Sequence, residues 1–210
     1  MKKQHYMTIV FIVLLSSFAG CMLPSNDILT TSEALAARGT PEVRNIPSSL
    51  AKDSADGYAF VNETLDAFFI INDKKWEYSI LQVSPISFVF TPTPDEASQS
   101  FITVQSMPIT LDGTAENQVE AFWQKVVLVK HIDKYEKEEC KIGKHEGYTY
   151  KWLYETSEVQ LTVRYYFWIV NHRLFTMIAT SQVGYEDDVN NILETMIKTY
   201  LTFKEYQEID

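Results

Sequence analysis

Cys140, His145 and Glu146 lie within seven positions and have the types that a metal site or a thiol nucleophile requires. A thiolate attacks or binds soft metal, an imidazole takes the proton or shares the metal, and a carboxylate completes the set. A turn at Gly143 brings Cys140 and His145 opposite each other across a hairpin. Against this stands the crowding of residues 134–146 with Lys and Glu of both signs, the pattern of a solvated hairpin, and that reading is preferred. His131, His145 and His172 belong to no spaced ligand motif, and no GxSxG elbow, phosphate-cradling glycine loop or dinucleotide fingerprint occurs. Carboxylates are plentiful without a singled-out pair. No catalytic, metal or cofactor-binding residue is assigned.

A second set with chemical potential is Arg164, Tyr166 and Trp168. Residues 159–170 alternate as a strand, with Leu161, Val163, Tyr165, Phe167 and Ile169 on an apolar face. Thr162, Arg164, Tyr166, Trp168 and Val170 form a mixed face. A cation beside two amphipathic rings suits a peptide or a glycan. The competing expectation is that the tether or a helix covers these rings, as adjacent helices normally do.

The third chemical residue is Cys21. It follows a positive start at Lys2 and Lys3, an apolar stretch over residues 9–15 and a small-residue exit through Ser16, Ser17, Ala19 and Gly20, the pattern of a secretion signal. From Met7 to Gly20 there are 14 uncharged residues, short of the roughly 20 a spanning helix needs. The segment Phe18-Ala19-Gly20-Cys21 resembles the lipobox of bacterial lipoproteins. Phe18 departs from the usual Leu, and Met22 in place of Asp resembles the outer-membrane sorting class of Gram-negative cells. The resemblance implies cleavage before Cys21, lipid on its thiol and attachment to a bilayer in the cell envelope. With Cys21 carrying lipid, Cys140 has no partner within the chain and is expected to be a small buried hydrophobe, as free Cys commonly is.

The rest of the chain must supply the elements that position these residues. None of the 28 Phe, Trp and Tyr side chains falls in residues 22–57, which are rich in Ser, Thr, Asn and Asp and contain Pro24, Pro41 and Pro47. Such a stretch cannot offset its ordering entropy, so residues 1–20 read as signal, 21–57 as lipidated Cys plus flexible tether, and 58–210 as one domain. Helices are expected over residues 114–130, with Thr114 as N-cap, and along the C-terminal stripe Val189, Ile192, Leu193, Met196, Ile197, Tyr200 and Leu201. The clearest strands are residues 159–170 and 174–180, joined at Asn171-His172. Others are expected at residues 67–71, 78–83, 86–90, 101–107 and 147–155. The fold class is α+β, an antiparallel sheet with helices packed on it.

This order resembles the PsbP-like fold, which includes the DcrB-like bacterial envelope lipoproteins. The likeness rests on Phe68-Phe-Ile-Ile-Asn-Asp-Lys-Lys-Trp76, on Phe101-Ile-Thr-Val, on Gly147-Tyr-Thr-Tyr-Lys-Trp152, and on the closing hairpin and helix. Members commonly have Pro shortly before that Trp; Asn72 and Asp73 stand there here and still suit a turn. None of these segments is a catalytic signature, and the roles of relatives differ too widely to transfer.

The formal charge is −10, and removal of Lys2 and Lys3 leaves 16 basic against 28 acidic side chains. That field repels nucleic acid and anionic headgroups. The expected function is a membrane-anchored lipoprotein that binds or scaffolds an envelope protein without catalysis. A small hydrolase or metal-dependent enzyme using Cys140, His145 or dispersed carboxylates is the alternative.

Overall fold

The computed structural model describes residues 42–44, 57–81, 87–93, 100–110, 113–157 and 159–209. Cys21, and the tether apart from residues 42–44 and 57, lie outside them. Three strands form a small antiparallel sheet in the order β1 (Glu42–Arg44), β2 (Tyr58–Asn62) and β3 (Ala67–Ile71). The stretch expected to be a tether thus contributes a strand against β2. The main sheet has seven antiparallel strands in the order β4 (Trp76–Leu81), β5 (Ser87–Pro92), β6 (Phe101–Pro108), β10 (Arg173–Gln182), β9 (Gln160–Val170), β8 (His145–Glu155) and β7 (Glu136–Ile142). Helix α1 is Ala115–Lys130, α2 is Glu186–Thr199, and a short α3 is Phe203–Gln207.

Both faces of the main sheet are buried, because β9 carries aromatic or β-branched residues at both parities. Leu161, Val163, Tyr165 and Phe167 pack with Val119, Trp123 and Val126 of α1. Trp123 stacks on Tyr150 of β8 with ring centroids 4.4 Å apart. The N-cap at Thr114 is present, its hydroxyl accepting from the Asn117 N–H at 3.2 Å. A polar joint fixes the same helix to the sheet edge: Glu120 accepts from Lys137 Nζ at 3.0 Å and from the Tyr150 hydroxyl at 2.9 Å.

The opposite face packs on α2 and the small sheet. Phe60 stacks on Phe69 and meets Phe88 and Phe90 edge-on, joining β2 and β3 to β5. Val189, Ile192, Leu193 and Met196 of α2 are buried in the same core. Asn171 and His172 both have positive φ, 51° and 57°, as the tight turn between right-twisted strands β9 and β10 demands.

Helix α2 stops two residues before the expected Leu201. Tyr200 leaves the helix with ψ 128°, and Leu201 exchanges backbone hydrogen bonds with Phe68 at 2.8 and 3.0 Å. Thr202 and Glu205 then form a reciprocal capping box that starts α3. Tyr206 stacks on Phe68, so the outer face of the small sheet is covered as well. Among the described residues, no helix is long and apolar enough to cross a membrane.

Candidate functional site

Of the six residues singled out for chemistry in the C-terminal half, Cys140, His145, Arg164, Tyr166 and Trp168 occupy one face of the main sheet, the face that meets α2, and Glu146, paired with Lys141, is on the other. Strand alternation and register set them in rows. One row runs Cys140, Gly147, Trp168 and Phe175; the next Glu138, Thr149, Tyr166 and Met177; the third Glu136, Lys151, Arg164 and Ala179.

The first row is core. Trp168 is 1% exposed, stacked on Phe175 at 5.1 Å and capped edge-on by Tyr200 at 5.1 Å. Gly147 is required between Cys140 and Trp168, because a Cβ there would lie 2.8 Å from the Phe167 carbonyl oxygen. Tyr166 is 9% exposed, and burial raises its phenol pKa even though Arg164 and Thr149 oppose the shift. The expected ligand surface of Arg164, Tyr166 and Trp168 is therefore corrected. Helix α2 and Tyr200 cover the rings, since its stripe is as apolar as the face it meets. Only Arg164 stays half-exposed, and its Nη1 donates to Asn190 Oδ1 of α2 at 2.9 Å.

Cys140 and His145 are close in sequence and separate in role. The β7–β8 turn is the two residues Gly143 and Lys144, so His145 pairs with Ile142 and Cys140 pairs with Gly147. The expectation that they face each other fails by one rung of the ladder on that face, because a two-residue turn sets the register. Burial, with the charge of Glu138 second, pushes the Cys140 thiol up to about 11. It packs half-buried against the core, as a free Cys commonly does.

His145 turns instead to the C-terminal segment. Its Nε2 lies 3.5 Å from Glu205 Oε2, and its ring meets Tyr200 edge-on at 5.8 Å. Glu205 also pairs with Lys144 Nζ at 2.6 Å and accepts from the Thr202 N–H at 2.8 Å. Burial opposes its ionisation, but Lys144 and the Thr202 donors outweigh it and bring the carboxyl down to about 2. The Gly143 N–H donates to Ile197 O at 2.6 Å, closing the joint between hairpin and α2. This is a docking joint built from the residue types of a reactive site. Among the described residues, no group of three or more His, Cys, Asp or Glu side chains is placed to hold a metal ion.

Along β8 and β9 away from this joint, the face stays buried as far as Thr162 and Ser181 and opens beyond them at Glu155 and Gln160. Thr162 Oγ1 stands 3.4 Å from Glu186 Oε1 at the start of α2. Hydrogen bonds from its own and the Gly184 backbone N–H, with the charge of Arg164, hold the Glu186 carboxyl below its ordinary value despite partial burial. Leu153, Val183 and Tyr185, exposed around this point, were not singled out from sequence. The available signal was Leu153, an apolar residue on the parity of Thr149 and Lys151.

An antiparallel seven-stranded sheet with α1 on one face, and α2 with a three-stranded sheet on the other, defines an α+β sandwich. The fold is PsbP-like. The solution structure of the cyanobacterial PsbP, CyanoP, from Synechocystis is similar at TM-score 0.51 and 14% identity, covering 70% of this chain and 93% of that one. Similar below a TM-score of 0.5 are a crystal structure from Bacteroides thetaiotaomicron (0.49, 18% identity) and LpqN, involved in cell envelope biogenesis in Mycobacterium tuberculosis (0.44, 10% identity). The first match covers 70% of this chain and 48% of the Bacteroides chain, so this chain spans about half of that protein's length. The LpqN match covers 83% and 98%. No protein-family profile matches the chain, and no curated protein sequence does.

Proposed function

We propose that the chain is a lipid-anchored envelope protein whose PsbP-like domain binds or scaffolds another envelope protein and performs no catalysis of its own. The observation that carries this reading is the use made of Cys140 and His145. The thiol faces Gly147 with its ionisation suppressed to about 11, and the imidazole is directed at Glu205. Residue types that a thiol or metal enzyme would converge are spent on joining the hairpin to the C-terminal segment.

The anchor rests on Cys21 and the lipobox-like Phe18-Ala19-Gly20 before it. Each buried CH2 contributes about 0.8 kcal/mol, so two or more acyl chains exceed what stable attachment needs. Met22 after the cysteine favours the periplasmic face of the outer membrane if the cell has two membranes. The net charge of −10 disfavours nucleic acid as a partner.

Affinity capture from membranes, with the anchor intact, tests partner and compartment together. The expected result is a protein retained from the membrane fraction. Absence of any protein partner, together with turnover of an envelope substrate by the purified domain, would end this reading in favour of an enzyme.

A further inference from the structure

The uncovered end of the α2 face has the composition of a docking surface. Leu153 pairs with Thr162 and Thr162 with Ser181, and one step further Glu155 pairs with Gln160. The Gln160 carbonyl accepts from the Val183 N–H at 3.1 Å. These three adjacent strands span roughly 10 Å. Helix α2 begins at Glu186 beside Thr162 and leads away toward Gly143, so the face is buried at Thr162 and Ser181 and opens one step beyond, at Glu155 and Gln160. Leu153 of β8 is 54% exposed, and Val183 and Tyr185, in the segment that joins β10 to α2, are 43% and 44% exposed.

The rim is acidic. Glu155 accepts from Gln160 Nε2 at 2.5 Å, Glu186 stands over Thr162, and Asp187 and Asp188 follow exposed in the first turn of α2. Of the nearby cations, Lys151 pairs with Glu136 at 3.6 Å, and Arg164 donates to Asn190 while its charge acts on Glu186. Among the described residues, none of Glu155, Asp187 and Asp188 has a Lys or Arg partner.

Resting on the binding function proposed above, we infer that the partner docks on this face, around Leu153, Val183 and Tyr185, through a net-basic polypeptide segment that contributes apolar anchors. The apolar trio provides contact area, and the unpaired carboxylates select the sign of the partner. A second copy of this chain would set acid against acid, and an anionic bilayer surface would be repelled. The exposed apolar side chains on the α1 side, Leu128, Val129 and Tyr135, are flanked in sequence by Lys125, Lys130 and Lys134 as well as Asp133 and Glu136, a surround of mixed sign.

The test replaces Leu153, Val183 or Tyr185 in turn by p-benzoylphenylalanine in the full chain, with Leu128 and Tyr135 for comparison, followed by photolysis in intact cells and sequencing of the attached peptides. Adducts from the first three positions to peptides richer in Lys and Arg than in Asp and Glu are expected. Their yield should fall about tenfold when Glu155→Lys and Asp187→Lys are combined in a chain whose circular dichroism is unchanged. Adducts to a second copy, to lipid or to acidic peptides overturn the inference, as does a yield indifferent to charge reversal. Adducts from Leu128 or Tyr135 alone overturn this face and leave the binding function standing. No adduct from any of the five positions overturns this face as the docking surface, while the binding function stands or falls with the capture from membranes.

Discussion

Cys140 and His145 share one face of the β7–β8 hairpin but sit on neighbouring rungs of that face, Cys140 against Gly147 and His145 against Ile142. That displacement separates a suppressed thiol from an imidazole whose Nε2 lies 3.5 Å from Glu205. Cys140 therefore serves packing.

Cys140 should alkylate slowly. A thiol moved from 9.0 to about 11 has roughly a hundredfold less thiolate at pH 7.5. Iodoacetamide labelling of the folded protein, compared with the same protein in urea, reads this directly. Equal rates in both would show the thiol to be exposed and active.

Glu205 should make stability acid-sensitive in a defined window. Its carboxyl lies at about 2 in the folded chain against an ordinary 4.5, so its contribution is complete above 4.5 and is lost as pH falls through that interval toward 2. Thermal melts of the wild type and Glu205→Gln should differ at pH 6 and converge by about pH 2. A gap that stays constant across that range contradicts the Lys144–Glu205–Thr202 joint.

Gly143→Ala should destabilise. Gly143 has φ 58°, and a Cβ there would run into the Tyr200 carbonyl oxygen, a backbone atom that cannot rotate away. A loss of about 1–3 kcal/mol is expected from such overpacking, measured as a lower urea midpoint at unchanged slope. A neutral effect would mean that the hairpin does not press on the C-terminal segment as described.

Trp123→Ala tests how α1 is held. The indole is fully buried among Tyr150, Trp152, Tyr165 and Phe167. Truncation of such an aromatic costs about 3–5 kcal/mol. A loss below about 1 kcal/mol would place α1 outside the core that stabilises the domain.

The elements read most easily from sequence were those with a single strong period. Residues 159–180 alternate over two long strands around Asn171-His172, and α1 combines Thr114 with a regular Val119, Trp123 and Val126 stripe. Strand β7 was legible only as one arm of a solvated hairpin, because an edge strand defended by Glu136, Lys137, Glu138, Glu139 and Lys141 carries little apolar alternation. The end of α2 was misplaced, since Tyr200 and Leu201 keep helical spacing while the Thr202–Glu205 capping box imposes a break. The same limit explains Tyr166 and Trp168. Strand parity placed them on one face, but which part of that face α2 covers depends on its contacts with Gly143, Asn190 and Thr162.

Lipid on Cys21 is what would hold this domain at a membrane, and the intact mass of the protein extracted from membranes reads it out. The expected species is a mature chain beginning at Cys21 with a diacylglyceryl group on sulfur and, in most molecules, an amide-linked acyl chain. The Cys21→Ala variant should remain unprocessed and unlabelled by palmitate. A wild-type chain that keeps residues 1–20, begins elsewhere, or carries Cys21 without lipid would contradict it.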